Sequence, residues 1–362
     1  MAVSPLHPPY GPVNLLVVQP TPFCNLDCDY CYLPNRDDRS RLSMEILELA
    51  LERVLESPFF AGPFTLLWHA GEPLTAGIPF YDEAAEVVRA VLRRHDLPAD
   101  TVIQAVQTNA TLINQAWCDC FRRNGIRVGV SMDGPAFLHD AHRRTRTGLG
   151  SHAAVMRGID WLRREDIPFH VISVLTADGL DHADAIFDFF VNHGIELVGF
   201  NMEETEGENV RSSLERADGE ERYRAFLERF WLRLQQQPGA LQLREFDGIT
   251  SLACGEERLA HTDMNAPFVI VNVDARGNVS TFDPELLSVQ TEEFGDFAFG
   301  NVRHDSLESL LANEKFQRVA AQVRAGVERC RQSCAYFGLC GGGAGSNKYW
   351  EHGTFDCTVT QA

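Results

Sequence analysis

Eight residues near the amino end, Cys24-Asn25-Leu26-Asp27-Cys28-Asp29-Tyr30-Cys31, carry three thiols spaced C-x3-C-x2-C. In a chain without secretory features, cysteines are more readily metal ligands than disulfide partners. Iron–sulfur clusters are normally held by four thiolates. Three thiolates in one short loop, with no fourth cysteine close by, would leave one iron of a 4Fe–4S cube open. An open metal position is where substrate chemistry happens. Two other readings stand beside this one. A structural zinc site prefers paired C-x2-C units at zinc-ribbon spacing. Three unrelated buried thiols fit poorly with the polar Asn25, Asp27 and Asp29 among them.

A second group of thiols lies in the last third of the chain. Cys330, Cys334 and Cys340 form a C-x3-C-x5-C run, and Cys357 follows at a distance. Together they make a complete set for a closed cluster, and four thiolates suit zinc equally well. Gly338 and the run Gly341-Gly342-Gly343 let the backbone fold tightly about a bulky group. Cys118 and Cys120 fall on a predicted helix about 200° apart around its axis, so a structural role is expected for them.

These groups need a scaffold, and the chain is long enough for one large domain plus a smaller one. Lys and Arg number 32 against 51 Asp and Glu, a formal net charge of −19 that argues against a nucleic-acid partner. No stretch has the length of a membrane span, and the amino terminus lacks the basic region and apolar core of a signal peptide. A cytoplasmic protein without membrane or nucleic-acid partners is expected.

Asn14–Gln19 reads as a strand buried on both faces, and the cysteine loop follows it directly. A helix over Met44–Glu56 shows a 3.6-residue apolar period, with Ser43 as N-cap and Leu42 and Leu47 as a hydrophobic staple. Further strands are predicted at Phe64–Trp68, Thr101–Gln107, Arg127–Ser131, Phe169–Leu175 and Glu196–Asn201. Helices fall near 79–94, 115–124, 152–165 and 181–193. Strand–helix alternation of this regularity predicts an α/β fold with a parallel sheet, open or partly closed as a barrel. Residues 205–218 read as a polar, mobile segment that ends the barrel, and an apolar stripe on helix 219–236 reads as core.

In such folds chemistry gathers at the carboxyl ends of the strands. There the sequence places Trp68-His69-Ala70-Gly71-Glu72-Pro73, Gln107-Thr108-Asn109, Ser131-Met132-Asp133-Gly134-Pro135 and Val198-Gly199-Phe200-Asn201-Met202-Glu203-Glu204. Together with the aromatic Tyr30 before the third cysteine, these segments resemble the radical S-adenosylmethionine (SAM) superfamily and its GGEP, TN and S-x-D-G motifs, with Ala70 replacing the first glycine. The resemblance implies a partial (β/α)6 TIM-like barrel in which Cys24, Cys28 and Cys31 hold a SAM-binding 4Fe–4S cluster. It further implies SAM contacts from Gly71, Glu72, Asn109, Ser131, Asp133 and Arg143, with Arg144 as a competitor for the carboxylate. The expected outcome is a 5′-deoxyadenosyl radical that abstracts a hydrogen atom.

The carboxyl-terminal segment resembles a SPASM domain, the auxiliary-cluster extension of peptide-modifying members. A full domain supplies eight ligands; here Phe282 or Asp283 and Ala344 stand where cysteines would be, and Cys254 alone remains of the first set. The resemblance therefore implies one auxiliary 4Fe–4S cluster on Cys330, Cys334, Cys340 and Cys357. Cys254 would be a leftover thiol, or a ligand only in a shuffled set. The expected divisions are an irregular lead-in at 1–13, a barrel at 14–204, a bridging helical region at 205–249 and a SPASM-like domain at 250–362.

Taken whole, the chain is similar to the cyclophane-forming maturases of ribosomal peptides, in particular those acting on glycine-rich-repeat precursors. That group joins an aromatic ring carbon to the Cβ of a residue two positions later, releasing an electron and a proton. Glu203, Glu204 and Asp283 are the candidate proton acceptors. The expected partners are a ribosomally made precursor peptide and an external reductant such as flavodoxin or ferredoxin. An anaerobic sulfatase-maturing enzyme would be expected to keep all eight cysteines. A thioether-forming maturase often carries a leader-binding module, for which about thirteen residues before the first strand leave no room. Outside enzymes, the alternatives are an iron–sulfur electron carrier and a zinc-binding scaffold.

Overall fold

The computed structural model describes residues 10–216, 218–255 and 258–358; the expected lead-in lies largely outside them. Six units of strand and helix alternate from the start. They run β1 (Leu15–Val18), α1 (Met44–Leu55), β2 (Phe64–Trp68), α2 (Ile78–Arg94), β3 (Val102–Thr108), α3 (Gln115–Asn124) and β4 (Arg127–Ser131). After α4 (Ala136–His142) and α5 (His152–Arg164) come β5 (Phe169–Leu175), α6 (Ala183–Asn192) and β6 (Leu197–Met202). The strands pair in parallel in sequence order. This is the α/β architecture expected, with boundaries within two residues of those read from periodicity.

The remainder is α7 (Gly219–Gln236), β7 (Gln242–Leu243), α8 (Arg244–Cys254), β8 (Ile270–Val273) and β9 (Asn278–Thr281), then a hairpin of β10 (Gln290–Thr291) and β11 (Gly295–Asp296), then β12 (Gly300–Asn301). The helices α9 (Glu314–Ser333), α10 (Phe337–Cys340) and α11 (Gly345–His352) close the chain. β8 adds in parallel to the free side of β1, so the main sheet has ten strands ordered β12-β9-β8-β1-β2-β3-β4-β5-β6-β7 and its ends do not join. The sheet thus runs on past position 250, where a separate domain was expected to begin.

Local physics explains the elements. Leu16, Val17 and Val18 are fully buried because β1 is flanked by a strand on each side, which a continuous apolar run satisfies. In β3 the side chains of Val102, Gln104, Val106 and Thr108 are buried while the alternate ones are half-buried. Ser43 caps α1 by accepting from the Ile46 amide at 3.3 Å, and Asn114 does the same for α3 at the Trp117 amide. One apolar core runs beneath the helices, and Leu51 within it is 1% exposed. Truncating it to alanine would cost about 2–5 kcal/mol. Cys118 and Cys120 are both buried in that core despite their angular separation.

Residues 205–216 are not the mobile spacer expected. Glu206, Asn209 and Ser212 are buried, and the Glu208 amide donates to the Tyr32 carbonyl at 2.9 Å. Gly207 sits at φ +54, where a Cβ would fall 2.3 Å from the same Tyr32 oxygen. Polar composition misled because Thr205, Asn209 and Ser212 bond within the segment and to the end of β6, while the Glu208 amide ties the backbone to Tyr32.

Candidate functional site

The cysteine loop after β1 lies against the segments that follow β2, β3 and β4, bonded to Glu72, Asn109 and Asp133. The loop is held by backbone as well as side chains. Cys24 N donates to Arg36 O at 3.1 Å, Asp27 N to Arg144 O at 2.7 Å and Asp29 N to His142 O at 3.3 Å. Two guanidinium groups brace its carbonyls: Arg146 Nε donates to Cys24 O at 2.7 Å and Arg36 Nη1 to Cys28 O at 3.2 Å. Burial pushes the Cys24 and Cys28 thiols up to about 12, because a thiolate there has little water to solvate it. The cationic core of a metal cluster would reverse that cost by binding the thiolates, so the donor set fits such a group.

The six residues that the resemblance assigns to the sulfonium cofactor lie at or after the ends of β2, β3 and β4, and the polar side chains among them are mostly engaged with the protein. Gly71, at φ +79, lets the segment after β2 cross the loop; a Cβ would lie 2.5 Å from Thr21 O and 2.7 Å from Pro22 O. Its role is close approach of two backbones. Ala70 also sits at positive φ, +68, in the place the family motif gives to glycine. Glu72 is 1% exposed and accepts from Thr108 Oγ1 at 2.7 Å, Asn109 N at 2.8 Å and Leu74 N at 3.0 Å. Burial raises its pKa. It therefore spans the ends of β2 and β3. Asn109 donates to Asn25 Oδ1 at 2.8 Å, tying β3 to the cysteine loop.

After β4, Asp133 is buried and saturated. Its Oδ2 accepts from Tyr30 at 2.6 Å and Arg143 Nε at 2.8 Å, and its Oδ1 from Arg143 Nη2 at 3.0 Å and Val174 N at 2.9 Å. Asp133 stays below the ordinary carboxylate range; its burial works the other way, but the Arg143 guanidinium outweighs it. Arg143 thus spends its fork on Asp133, and that bidentate pair fixes Tyr30 behind Cys28. Ser131 accepts from Gln107 Nε2 at 2.9 Å at the edge of the lumen. Arg144 turns away, donating to Asp140 O at 3.2 Å.

On the other side of the loop lies a group that sequence reading caught only in part. Glu204, Asp283 and Glu285 are each pushed up to about 7 and Glu206 is raised as well, in every case chiefly by burial and then by the other carboxylates. Tyr32, next to Cys31, feels Glu285 and Glu206, and its hydroxyl lies 3.5 Å from His69 Nε2. Burial holds His69 down at about 4, so the ring is neutral. Asp283 Oδ2 accepts from the Ser346 amide at 2.8 Å at the start of α11, while its Oδ1 and Glu206 Oε1 are buried without partners. Glu203 is elsewhere: its carboxylate is bonded to Ser213. Glu206 and Glu285 were missed because each sits beside a proline or glycine turn that reads as surface.

The second cysteine group is looser. Cys330 is buried at the end of α9, Cys334 and Cys340 are exposed, and Cys357 is half-buried. Gly326 lets the returning chain lie against α9, since a Cβ there would meet Phe355 O at 2.3 Å. Gly341, at φ +66, packs on His261 O in the same way. Cys254 is exposed at the end of α8. Among the described residues, no three His, Cys, Asp or Glu side chains converge closely enough to hold a single metal ion. No described helix is long and apolar enough to cross a membrane.

Comparison with known proteins agrees with this geometry. Residues 18–190 match the model of the Radical SAM superfamily. An uncharacterized protein of Synechocystis is 52% identical over 353 residues, covering 98% of this chain and 89% of its own length. The serine-type anaerobic sulfatase-maturating enzyme of Klebsiella aerogenes is 33% identical over 238 residues. That match covers 64% of this chain but only 56% of the Klebsiella enzyme. Among solved structures, native anSMEcpe with bound AdoMet and Cp18Cys peptide aligns with a TM-score of 0.77 at 22% identity, covering 96% of this chain and 92% of that one. At that identity the likeness speaks for the fold.

Proposed function

The chain belongs to the radical SAM superfamily, and from that premise we propose that it is a peptide maturase that forms a cyclophane between an aromatic ring carbon and a nearby Cβ. Cys24, Cys28 and Cys31 would hold a 4Fe–4S cluster. When bound, that cluster and SAM supply a 5′-deoxyadenosyl radical, which takes a hydrogen atom from the substrate carbon. Asp133, paired to Arg143 and Tyr30, positions the wall behind Cys28. Glu72 and Asn109 hold the loop against β2 and β3. Cys330, Cys334, Cys340 and Cys357 would hold the auxiliary cluster and so provide a destination for an electron.

The observation that carries the reading is the buried group Glu204, Glu206, Asp283 and Glu285, which borders Tyr32 beside Cys31 and, through Asp283, the helix that carries Lys348 against Cys330. Joining a carbon radical to an aromatic ring leaves one electron and one proton to be removed. A carboxylate raised to about 7 by burial can accept that proton at neutral pH, and Asp283 has an oxygen free to do so. Glu204 is the second candidate. The reductant that starts the cycle would be a flavodoxin or ferredoxin.

A second reading, formylglycine formation on a sulfatase, is favoured by the similarity to the Klebsiella enzyme. Both reactions remove an electron and a proton after hydrogen abstraction. The test is to incubate anaerobically reconstituted protein with SAM and dithionite, offering a glycine-rich precursor with aromatic-x-x repeats or a sulfatase peptide. Cyclophane formation gives a product short of two hydrogen atoms whose backbone does not fragment between the joined residues. A product that reacts with hydrazide carries an aldehyde and would replace the first reading by the second. Failure to release deoxyadenosine would remove both.

A further inference from the structure

Lys348 lies on α11, two residues beyond the Ser346 amide that holds Asp283. It is 2% exposed, so its head does not reach water by extending along the surface, as most lysines manage. Among the described residues its ammonium donates to a sulfur rather than a carboxylate: Nζ lies 3.4 Å from Cys330 Sγ. Burying an ammonium costs several kcal/mol unless an anion or a full set of acceptors compensates it. A neutral thiol is a weak acceptor and compensates poorly. A thiolate bound within an anionic iron–sulfur centre would compensate well.

We propose that Lys348 is the positioning residue that sets the charge balance, and with it the reduction potential, of a cluster on Cys330, Cys334, Cys340 and Cys357. This rests on the auxiliary-cluster reading above. Net charge, hydrogen bonds to the sulfurs and solvent exposure are the levers by which a protein tunes such a centre. Lys348 works the first two at once, on the most buried of the four sulfurs. Uptake of one electron adds one negative charge to the centre. A fixed ammonium against Cys330 favours that reduced form and makes the centre a better acceptor of the electron released from the substrate. Cys334 and Cys340 are exposed, and water there stabilises the charge less specifically. The same short helix thus sets the electron acceptor with Lys348 and orients the candidate proton acceptor with Ser346, so the two departures from the substrate are arranged by one element.

The test uses full-length protein reconstituted anaerobically, with Lys348→Gln and Lys348→Arg beside the wild type. Iron is counted, and the midpoint potential of each cluster is followed by redox titration with electron paramagnetic resonance. Added SAM identifies the open-iron cluster, whose signal alone it perturbs. In Lys348→Gln the SAM-insensitive cluster should titrate at lower potential, by at least a tenfold change in its reduced-to-oxidised ratio, equivalent to 59 mV for one electron. Lys348→Arg should restore most of the shift. Loss of the second cluster in the glutamine variant with retention in the arginine variant would equally support a required positive charge. An unmoved potential in Lys348→Gln, or equal loss of the cluster from both variants, overturns the assignment. A wild type that loads only the SAM-sensitive cluster, with Cys334→Ala changing no iron count, would instead defeat the auxiliary-cluster reading beneath it.

Discussion

Cys24, Cys28 and Cys31 stand within eight residues, on a loop bonded through its own amides and carbonyls to Arg36 and to residues 142–146. Cys330, Cys334, Cys340 and Cys357 are spread over 28 residues, and two of them face solvent. The first group is held in shape by bonds from the protein around it. The second is bonded mostly within its own turns and to Lys348 of α11, and Gly326 and Gly341 let neighbouring chain segments pack against it. Preorganisation belongs where bond-breaking demands exact geometry, whereas an electron acceptor tolerates looser walls. That difference in construction fits a division of labour between a reacting centre and a relay.

The sharpest way to break the comparison is to empty each site in turn. Replacing Cys24, Cys28 and Cys31 together with alanine should abolish deoxyadenosine release and peptide modification, by at least about 10³-fold. Because the loop is braced by protein, it should leave the thermal transition nearly where it was. A collapse of the fold would show that metal, not Arg36 and Arg146, shapes the loop. Replacing Cys334 and Cys340 should show the reverse pattern: deoxyadenosine release continues, modified peptide falls by about 10²-fold, and the carboxyl-terminal helices become sensitive to proteolysis.

Asp283→Asn separates the proton step from both clusters. Product formation should fall by about 10²-fold, a typical general-base contribution, with iron content unchanged and deoxyadenosine still released. Stability should move the other way. A carboxyl raised by burial favours the protonated folded state, so its stabilising contribution is full below the ordinary range near 4 and is lost as pH rises through about 7. Wild-type protein should therefore melt lower at pH 8 than at pH 5.5, and the asparagine variant should lose part of that slope, since Glu204, Glu206 and Glu285 keep theirs, and melt higher at pH 8. The smallest expected effect is at Ala70. Its φ of +68 costs an alanine about 1–2 kcal/mol, so Ala70→Gly should raise the melting temperature slightly with activity intact.

Much of this was legible in residue order. The apolar run of β1, the cap at Ser43 and the regular alternation through β6 fixed the barrel, because parallel strands and amphipathic helices leave strong periodic signals. The cysteine spacings picked out both groups of thiols. What could not be read was which polar residues the fold consumes. Asp133, Glu72 and Arg143 have the side chains a ligand would want, yet they spend nearly all their bonds on one another and on the strand ends. Glu206 and Glu285 were overlooked for the opposite reason: single carboxylates beside turns look like surface until tertiary contacts bury them together. Lys348 likewise carries no sequence mark of burial.

Residues 205–216 bear on how long a reactive carbon can last. The sheet leaves its wall unjoined between β7 and β12, yet Gly207 and Glu208 fasten the chain leaving β6 onto the backbone of Tyr32, beyond β1. A backbone contact therefore ties the segment after β6 to the segment after β1. An unpaired electron on a side chain survives only while stray hydrogen donors and solvent are kept out. On the proposed reading, a stretch with the composition of a slack tether would help keep solvent away from a substrate radical.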